Sequence, residues 1–413
     1  MKNLGRLGLA SVLLLVLTAF VERSGVKAAG GLQETANGSY RVLAPIESGN
    51  LLLFPVVRAN GKTVAATPFL TLDEGIKSGQ VEVTEAGRVR GLVRRRGTVD
   101  QDGRFRPVLQ PDGNRYRGDE VNTLVLVNNS GKPLLLLAGE IVTGGKQDRV
   151  IAKDRIVPPG GEPIDLGVFC IEPGRWTASS ETFGAAAKMP AHSFMVQPTV
   201  REKAMVAQDQ QQVWDSVRGS ISQMQVAAAP SGNGSMVGGL GSARSMGTTS
   251  YAKVMEDSTV SAKVDEAAAQ VMKSRDQVLA QLRKEGAIGV VVAVRGEIVW
   301  ADLFADTDLL SRYWTKLVRS YAAESLTEGE SHAVPTEADA QRFLDAPSGG
   351  TETSVGDVGV YRYRELRSGG TETFVLESLL PGTGYDVHIS KLRLRNAGVP
   401  IMPPRRYHSE IYR

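Results

Sequence analysis

The sequence AIGVVVAVRGEIVWADLF at residues 287–304 limits the fold more than any other stretch of this chain. Its first eight residues form a continuous apolar run, Arg295-Gly296-Glu297 supplies a tight turn, and a second apolar run follows over residues 298–304. This pattern predicts a hairpin of two buried strands. A hairpin this hydrophobic is not stable alone, so we expect it inside a core shared with other parts of the chain.

The segment after this hairpin has a mixed pattern. Asp306 is a suitable N-cap for a helix whose apolar face carries Leu310, Trp314, Leu317 and Tyr321. Thr336 followed by Asp339 has the spacing of a capping box and predicts a further helix start. Short apolar or alternating runs predict closing strands at residues 358–366, 374–377 and 385–392. Residues 286–413 are therefore expected to be a mixed α/β part.

The N-terminal part, residues 40–180, is rich in strand patterns. Strands are predicted at residues 51–58, 81–84, 124–127, 134–138 and 167–171. Turn signals such as Asn60-Gly61 and Asp112-Gly113 separate the predicted strands. A short helix is predicted at residues 72–77.

The central part, residues 193–285, has helical periodicity. Apolar residues recur at helical spacing over residues 201–229 and again over residues 264–282, and Gly286 is a good C-terminal stop. Between them, residues 230–250 are rich in Gly and Ser and predict a flexible connector. These helices form a predicted hairpin, and the whole predicts an α+β fold with a single integrated unit over residues 29–413.

Composition excludes some classes of function. The chain has 413 residues, 42% of them hydrophobic, and a formal net charge of only +3. A dedicated nucleic-acid-binding protein normally has a larger basic excess, so we expect no nucleic-acid partner. A chain of this length buries a substantial core.

The N-terminus has the pattern of a secretory signal peptide. Lys2 and Arg6 precede an uncharged apolar run at residues 7–20, and Ala28 ends a suitable cleavage motif. The apolar run is shorter than the roughly 18 residues that a membrane-spanning helix needs. We therefore predict a signal peptide at residues 1–28, a secreted or periplasmic protein, and no membrane attachment after cleavage.

Metal and thiol chemistry have little support in the sequence. The chain has one cysteine, Cys170, which lies among apolar residues and is expected to be a buried thiol. Its four histidines are scattered and form no metal-binding motif, so no metal site is predicted. The sequence identifies no cofactor.

A dense polar block at residues 139–149 is the strongest candidate for a functional site. Within it, Glu140 is a candidate general acid or base, Lys146 and Arg149 are candidates for holding an anion, and Gln147 for binding an amide or hydroxyl. The glycine and lysine spacing does not match a phosphate-binding loop. The alternative interpretation is a Gly-rich hairpin whose charges form a partly buried network of salt bridges.

A second block, CIEPGRW at residues 170–176, adds secondary candidates. These are Glu172, Arg175 and Trp176. Each has an ordinary structural interpretation as well, and Trp176 is typical of an aromatic residue at the edge of a core.

These motifs together resemble a known family. They are VNTL at 121–124, NNS at 128–130, AGE at 138–140, GGKQDR at 144–149 and CIEPGRW at 170–176. In this order and spacing they resemble the ARPP domain family, a protein domain associated with ADP-ribosylglycohydrolase and rhodanese-phosphatase proteins. The resemblance continues through residues 210–214 and through 286–304 into 313–317. It implies a link to nucleotide or ADP-ribose chemistry, and it assigns no catalytic residue.

Three functional hypotheses follow from the sequence. The first is an exported module that binds a small polar or anionic ligand through residues 139–149. The second is a hydrolase with Glu140 as general acid or base. The third is a structural or partner-binding protein without a small-molecule site. A solvent-open pocket containing Glu140 and Arg149 would favour the first two, and complete pairing of every charge would favour the third.

Overall fold

The chain folds as an α+β protein, which confirms the predicted fold class. The computed structural model describes residues 39–61, 69–85, 97–99, 105–106, 123–175, 177–186, 193–229, 247–273, 275–326, 333–381 and 383–394. The predicted signal peptide and Trp176 lie outside these residues. Among the described residues, no helix combines the length and apolar character that are needed to cross a bilayer.

The strands are numbered in chain order. They are β1 Tyr40–Val42, β2 Ile46–Ser48, β3 Leu51–Arg58, β4 Leu70–Thr71, β5 Val81–Glu85, β6 Gly97–Val99, β7 Phe105–Arg106, β8 Thr123–Asn128, β9 Leu134–Leu136, β10 Ile141–Gly144, β11 Arg149–Ile151, β12 Arg155–Val157, β13 Ile164–Cys170, β14 Phe183–Ala185, β15 Ala287–Val294, β16 Glu297–Phe304, β17 Thr351–Asp357, β18 Tyr361–Ser368, β19 Thr371–Ser378 and β20 Asp386–Arg393.

The helices are numbered in the same way. They are α1 Leu72–Lys77, α2 Pro198–Glu202, α3 Gln210–Ala228, α4 Tyr251–Glu256, α5 Ser258–Ala267, α6 Ala269–Lys273, α7 Arg275–Glu285, α8 Thr307–Ser325 and α9 Glu337–Asp345, with a π-helical segment at Lys203–Ala207 between α2 and α3.

The main sheet is built around the predicted hairpin β15–β16. Its strand order is β1-β3-β15-β16-β20-β19-β18-β17-β6-β7, and β2 pairs with β3 beside this path. Arg295 and Gly296 both have positive φ, 50° and 78°, as a two-residue hairpin turn requires. Gly289 permits the close approach of the two strands, because a Cβ there would lie 2.3 Å from the carbonyl oxygen of Asp302. The hairpin contributes buried side chains to both faces of the sheet.

Two smaller sheets enclose a second core. One has the strand order β14-β10-β11-β13-β8-β5, and the other has the order β12-β9-β4. Alternate residues of β5, β8 and β13, including Val83, Leu126 and Leu166, point into this core. The charged 139–149 block spans β10, β11 and the turn between them, so it is part of this sandwich.

Helix α8 joins the sandwich to the main sheet. Asp306 accepts a hydrogen bond from the backbone N–H of Leu309 at 2.8 Å and caps the helix start as predicted. Sixteen of the nineteen residues of α8 are buried, including Lys316, Arg319 and Glu324. The charged side chains of a helix that is buried around most of its circumference need hydrogen-bonding or ionic partners. These partners come from distant parts of the chain.

Two predicted boundaries are wrong for identifiable reasons. The helical pattern over 201–229 is interrupted at Gln208, which has a left-handed backbone (φ 49°), and α3 starts anew with Asp209 as its N-cap. The strand predicted at 358–366 begins only at Tyr361, because Val360 N–H donates to Asp357 C=O in a turn where Gly359 has a φ of 71°.

The predicted connector is also wrong at its C-terminal end. Residues 230–246 lie outside the described residues. Ser250, however, is fully buried and caps helix α4 by accepting a hydrogen bond from Lys253 N–H. Composition did not reveal this role, because the partners of Ser250 include a residue about a hundred positions earlier in the chain.

Candidate functional site

The glycines of the 139–149 block serve close packing. Gly144 and Gly145 have φ values of 132° and 49° in the turn after β10. A Cβ on Gly145 would lie 2.2 Å from Cζ of Phe183 and 2.6 Å from Oε1 of Glu85. The space that a phosphate-binding loop would leave for its ligand is filled here by protein atoms.

Glu140 lies inside an ion-pair cluster that we call the brace, formed by Asp73, Glu140 and Lys316. Its side chain is fully buried, with Oε1 at 2.6 Å from Lys316 Nζ and Oε2 accepting from Leu137 N–H at 2.8 Å. Lys316 Nζ also lies 2.9 Å from Asp73 Oδ2, which accepts a hydrogen bond from Ser193 Oγ at 2.7 Å. The brace therefore ties α1 and the residue just before β10 to α8.

The protonation states of the brace follow from burial and charge. Burial by itself lowers the pKa of Lys316, but the carboxylates of Asp73 and Glu140 outweigh it and raise that pKa above its ordinary value. Burial raises the pKa of Glu140, while Lys316 acts in the opposite direction. Lys316 is thus held as an ammonium ion, and its charge is paired with Asp73 and Glu140.

Arg149 is buried beside Glu85 and Phe183. Its Nη1 donates to the carbonyl oxygen of Gln147 at 2.5 Å, and its Nη2 lies 3.7 Å from Glu85 Oε1. Its guanidinium also lies 6.0 Å from the centre of the Phe183 ring. Cys170 pairs with Arg149 across the sheet, and burial raises the pKa of its thiol to about 11, so the thiol is neutral.

Gln147 and Lys146 lie in the turn between β10 and β11. Lys146 is partly buried, and its backbone N–H donates to Glu85 Oε1 at 3.0 Å. The Gln147 side chain is fully buried, yet neither its amide nitrogen nor its amide oxygen has a hydrogen-bond partner among the described residues. An unpaired buried amide costs about 1–3 kcal/mol. Within the block, the described residues therefore leave the hydrogen-bonding capacity of the Gln147 side chain unused.

Glu172 and Arg175 fasten this turn to its surroundings. Arg175 Nη2 lies 2.5 Å from Glu172 Oε2 and 3.4 Å from Asp148 Oδ1, and Nη1 donates to Gly145 C=O at 2.7 Å. Asp148 in turn accepts hydrogen bonds from Gly144 N–H at 3.0 Å and from Ser250 Oγ at 2.6 Å. These contacts close the turn with protein donors and acceptors.

The sequence-predicted candidates are thus divided among separate contacts. Glu140 contacts α8, Arg149 contacts β5, and Arg175 holds the turn. The structure brings Glu172 and Arg175 together, but it does not bring Glu140 and Arg149 to a common solvent-open cavity. A shallow surface depression lies elsewhere and is lined by Pro198, Thr199, Glu202, Val299, Trp300 and Arg393.

A second charged group, absent from the sequence-based candidates, lies at the junction of the sandwich and the main sheet. We call it the central network, and its members are Asp154, Arg201, Asp302, Tyr321, His388 and Ser390. Arg201 Nη1 lies 2.8 Å from Asp302 Oδ2, and the Tyr321 hydroxyl donates to the same oxygen. The Arg201 guanidinium also lies 4.6 Å from the Trp300 ring centre.

His388 is held between two carboxylates in this network. Its Nδ1 lies 2.6 Å from Asp154 Oδ2, and its Nε2 lies 3.2 Å from Asp302 Oδ1. Burial opposes a positive charge, but Asp154 and Asp302 outweigh it and raise the pKa of His388 to about 9. A protonated imidazole carries a proton on both nitrogens and cannot accept another, and Nε2 contacts Asp302 by charge rather than by a well-directed hydrogen bond.

A sequence signal for part of the network exists. Asp302 is the single charged residue in the apolar run over 298–304, and a carboxylate inside a buried strand must have a partner. Nothing local indicates that this partner is Arg201 or His388. Among the described residues, no group of His, Cys, Asp and Glu has the geometry of a metal site.

Comparison with known proteins places the chain in a family. Residues 39–392 match the sequence profile of ARPP-1, the ARG and Rhodanese-Phosphatase-superfamily-associated Protein domain. The chain belongs to the ARPP-1 family. The matched residues of this ARPP-1 protein contain the brace, the block and the central network. Comparisons with curated proteins and with solved structures found no match.

Proposed function

We propose that this ARPP-1 protein is an exported, non-catalytic structural or partner-binding protein, in which the 139–149 block stabilises the fold. The observation that carries the proposal is the environment of Glu140. Its side chain is fully buried, and its two oxygens are occupied by Lys316 Nζ and Leu137 N–H. This arrangement corresponds to the partner-binding or structural alternative among the hypotheses drawn from the sequence.

A catalytic role for Glu140 has no geometric support. A general acid or base must reach the reacting atom directly or through one water molecule. Glu140 has no exposed surface and has its nearest charged contact in Lys316, whose ammonium is shared with Asp73. The hydrolase hypothesis would require the brace to open, which would leave a buried ammonium ion without its partner.

Export is supported by the N-terminal sequence alone. Lys2 and Arg6, the apolar run at 7–20 and the small residue Ala28 have the order of a signal peptide. The family match begins at residue 39, beyond these features. Expression in a bacterial host with an active secretory pathway should yield a protein whose N-terminus, read by mass spectrometry, follows residue 28. Retention of residues 1–28 on a cytoplasmic protein would refute export.

The brace is tested by a double-mutant cycle between Glu140 and Lys316. Glu140→Gln leaves the Lys316 charge under-compensated, and we expect a loss of about 2–4 kcal/mol in the free energy of unfolding. Adding Lys316→Gln should return part of that loss, because the second change removes the unpaired charge. Arg342→Gln, on the exposed face of α9, is the matched control and should change stability by less than about 0.5 kcal/mol.

Catalysis by Glu140 would give a different result. A Glu140→Gln protein with unchanged stability, but without a turnover of nucleotides or ADP-ribose conjugates that the wild-type protein shows, would establish catalysis instead.

Gln147 supports a second candidate function, the binding of a polar group beside its buried side-chain amide. Its unpaired buried amide is the observation in favour. Gln147→Leu distinguishes the two candidates, because it removes the amide while keeping similar volume. If nothing pairs with the amide, the variant should be more stable by about 1–3 kcal/mol. A loss of stability in the variant would instead indicate that the amide has a hydrogen-bonding partner in the folded protein.

A further inference from the structure

One end of the main sheet carries a group of charged side chains outside the 139–149 block. We call it the strand-end cluster, and its members are Tyr40, Arg58, Arg362, Arg364, Glu377 and Asp386. Tyr40 pairs with Arg58 across β1 and β3, Arg362 pairs with Glu377 across β18 and β19, and Glu377 pairs with Asp386 across β19 and β20. Strand register thus brings Arg362, Glu377 and Asp386 together on β18–β20. Arg58 reaches the same place from β3, because it donates to the carbonyl oxygen of Ala305, whose N–H donates to Val387 beside Asp386.

The ion pairs of this cluster are loose. Arg362 Nη1 lies 3.4 Å from Glu377 Oε2, and Arg364 Nη2 lies 3.7 Å from Asp386 Oδ1. A charge-assisted hydrogen bond between such groups is typically about 2.7–2.9 Å long. The guanidinium groups are thus only partly neutralised by their neighbours.

The cluster is also accessible from solvent. The access is through Arg362, whose side chain is 43% exposed, whereas those of Arg364, Glu377 and Asp386 are 13%, 11% and 17% exposed. Arg58 is held in place by donating to Ala305 C=O at 3.3 Å and lies 5.9 Å from the ring centre of Tyr40. Ordered arginines at a partly open surface are suited to bind an anion with two or more oxygens.

Asp386 is the group that competes with such an anion. Burial raises its pKa to about 6; Arg364 and Arg58 act against this shift, and Glu377 adds to it. From the other elements at this end, Tyr40 on β1 contributes a neutral hydroxyl, and Asp306, which follows β16, acts on Tyr385 beside Asp386. Protonation of Asp386 removes the negative charge nearest to Arg58 and Arg364.

We propose that the three arginines of the strand-end cluster form a binding site for a tetrahedral oxyanion, sulfate or phosphate, which becomes available when Asp386 is protonated. With Asp386 neutral, Arg58 and Arg364 lose the carboxylate that acts on both of them, while Arg362 keeps its partner Glu377 at 3.4 Å. Two guanidiniums without a paired carboxylate match the charge of a dianion. This anion site is additional to the structural or partner-binding role proposed above. It uses a different surface from the 139–149 block, so the failure of either proposal leaves the other standing.

Sulfate is the best first probe, because it remains a dianion between about pH 5.5 and pH 7.5 whereas phosphate changes its own charge. We expect sulfate, titrated into the full chain by calorimetry at constant ionic strength, to bind at least about tenfold more tightly at the lower pH. A parallel titration with phosphate shows whether the site prefers either tetrahedral anion. Equal or absent sulfate binding at the two pH values would overturn the proposal.

Three variants locate the site. Asp386→Asn imitates the protonated carboxyl and should bind sulfate at about pH 7.5 as tightly as the wild-type protein does at about pH 5.5. Arg364→Gln should weaken binding at the lower pH at least about tenfold. Arg342→Gln is the control, because Arg342 is exposed on α9 and pairs with Asp339 of the same helix.

Thermal melting of each variant separates a loss of binding from a loss of folding. If the folded Arg364→Gln protein binds sulfate like the wild-type protein, the site is not where we place it. If Asp386→Asn leaves the pH dependence unchanged, Asp386 does not gate it. Either result would overturn the assignment.

Discussion

Strand β20 contains members of two charged groups that differ in how completely they are neutralised. His388 belongs to the central network and is fully buried, with carboxylate oxygens at 2.6 and 3.2 Å from its two ring nitrogens. Asp386, two residues earlier, belongs to the strand-end cluster and lies 3.7 Å from its nearest guanidinium nitrogen. The same strand therefore carries a closed ionic network and a loosely paired one.

The difference between these groups shows what makes a charged group available for binding. In the central network each charge is matched within the core, because a buried unpaired charge would be incompatible with the fold. In the strand-end cluster, solvent stabilises part of the charge, so the ion pairs can be longer than a direct hydrogen bond. The 139–149 block resembles the central network in this respect, since Glu140 and Arg149 are both buried and both paired.

Breaking the central network should have the largest effect. Arg201→Met keeps much of the side-chain volume but leaves Asp302 buried without its strongest partner, so we expect the protein to lose about 3–5 kcal/mol of stability. Urea unfolding monitored by circular dichroism measures this loss. Arg218→Met is the matched control, because Arg218 pairs with Asp215 on the exposed side of α3 and should contribute less than about 0.5 kcal/mol. Similar losses of stability in both variants would show that the central network contributes no more than an exposed ion pair.

The charge state of His388 gives the next largest effect, which depends on pH. The folded-state pKa of His388, about 9, exceeds the ordinary value of 6.5. The contribution of protonated His388 to the free energy of unfolding is therefore complete below about pH 6.5 and is lost as the pH rises through 9. Removing it with His388→Gln should cost about 2–3 kcal/mol at pH 6 and much less near pH 10.

The difference in the free energy of unfolding between wild type and variant at each pH separates the contribution of His388 from those of other titrating groups. Lys391 is one such group, since burial lowers its pKa to about 8 and makes its own contribution rise with pH. Chemical denaturation of both proteins over this range is the measurement. A constant difference between them would mean that His388 is uncharged in the folded protein.

The smallest effect is expected in the strand-end cluster, and it has the opposite sign. Asp386 has a folded-state pKa of about 6, above its ordinary value of 3.8, so the cost of its carboxylate form develops between about pH 3.8 and pH 6 and is complete above pH 6. Asp386→Asn should therefore stabilise the protein by about 1 kcal/mol at pH 7.5 and change it little near pH 4. Melting temperatures at these two pH values test this expectation. Destabilisation at pH 7.5 would mean that Asp386 is firmly paired after all.

Local features of the sequence predicted several elements correctly. The hairpin over 287–304, helix α1 and the Asp306-capped helix α8 all occur where their patterns indicate. Each depends on short-range chemistry: an apolar run with a two-residue turn, or a side chain that caps the N–H groups of the next turn. Gln208 and the turn before Tyr361 were missed, because a single left-handed residue or a glycine turn interrupts an otherwise regular pattern.

The roles of the candidate residues were not predictable in the same way. Lys316 lies 176 positions after Glu140, and His388 lies 234 positions after Asp154. A sequence shows that Glu140 needs a partner, but not which residue supplies it or whether solvent does. Ser250 illustrates the same limit, since its bond to Asp148 joins a Gly/Ser-rich segment to the block.

By itself, the sequence determined the family, the α+β class and the strands and helices whose signals are local. Only the tertiary structure decided that Glu140 is a structural brace, that His388 is a buried cation and that Asp386 remains loosely paired. The physical reason is that the energy of a charge depends on its distance to other charges and on its contact with water. Both quantities are fixed when distant strands and helices pack together.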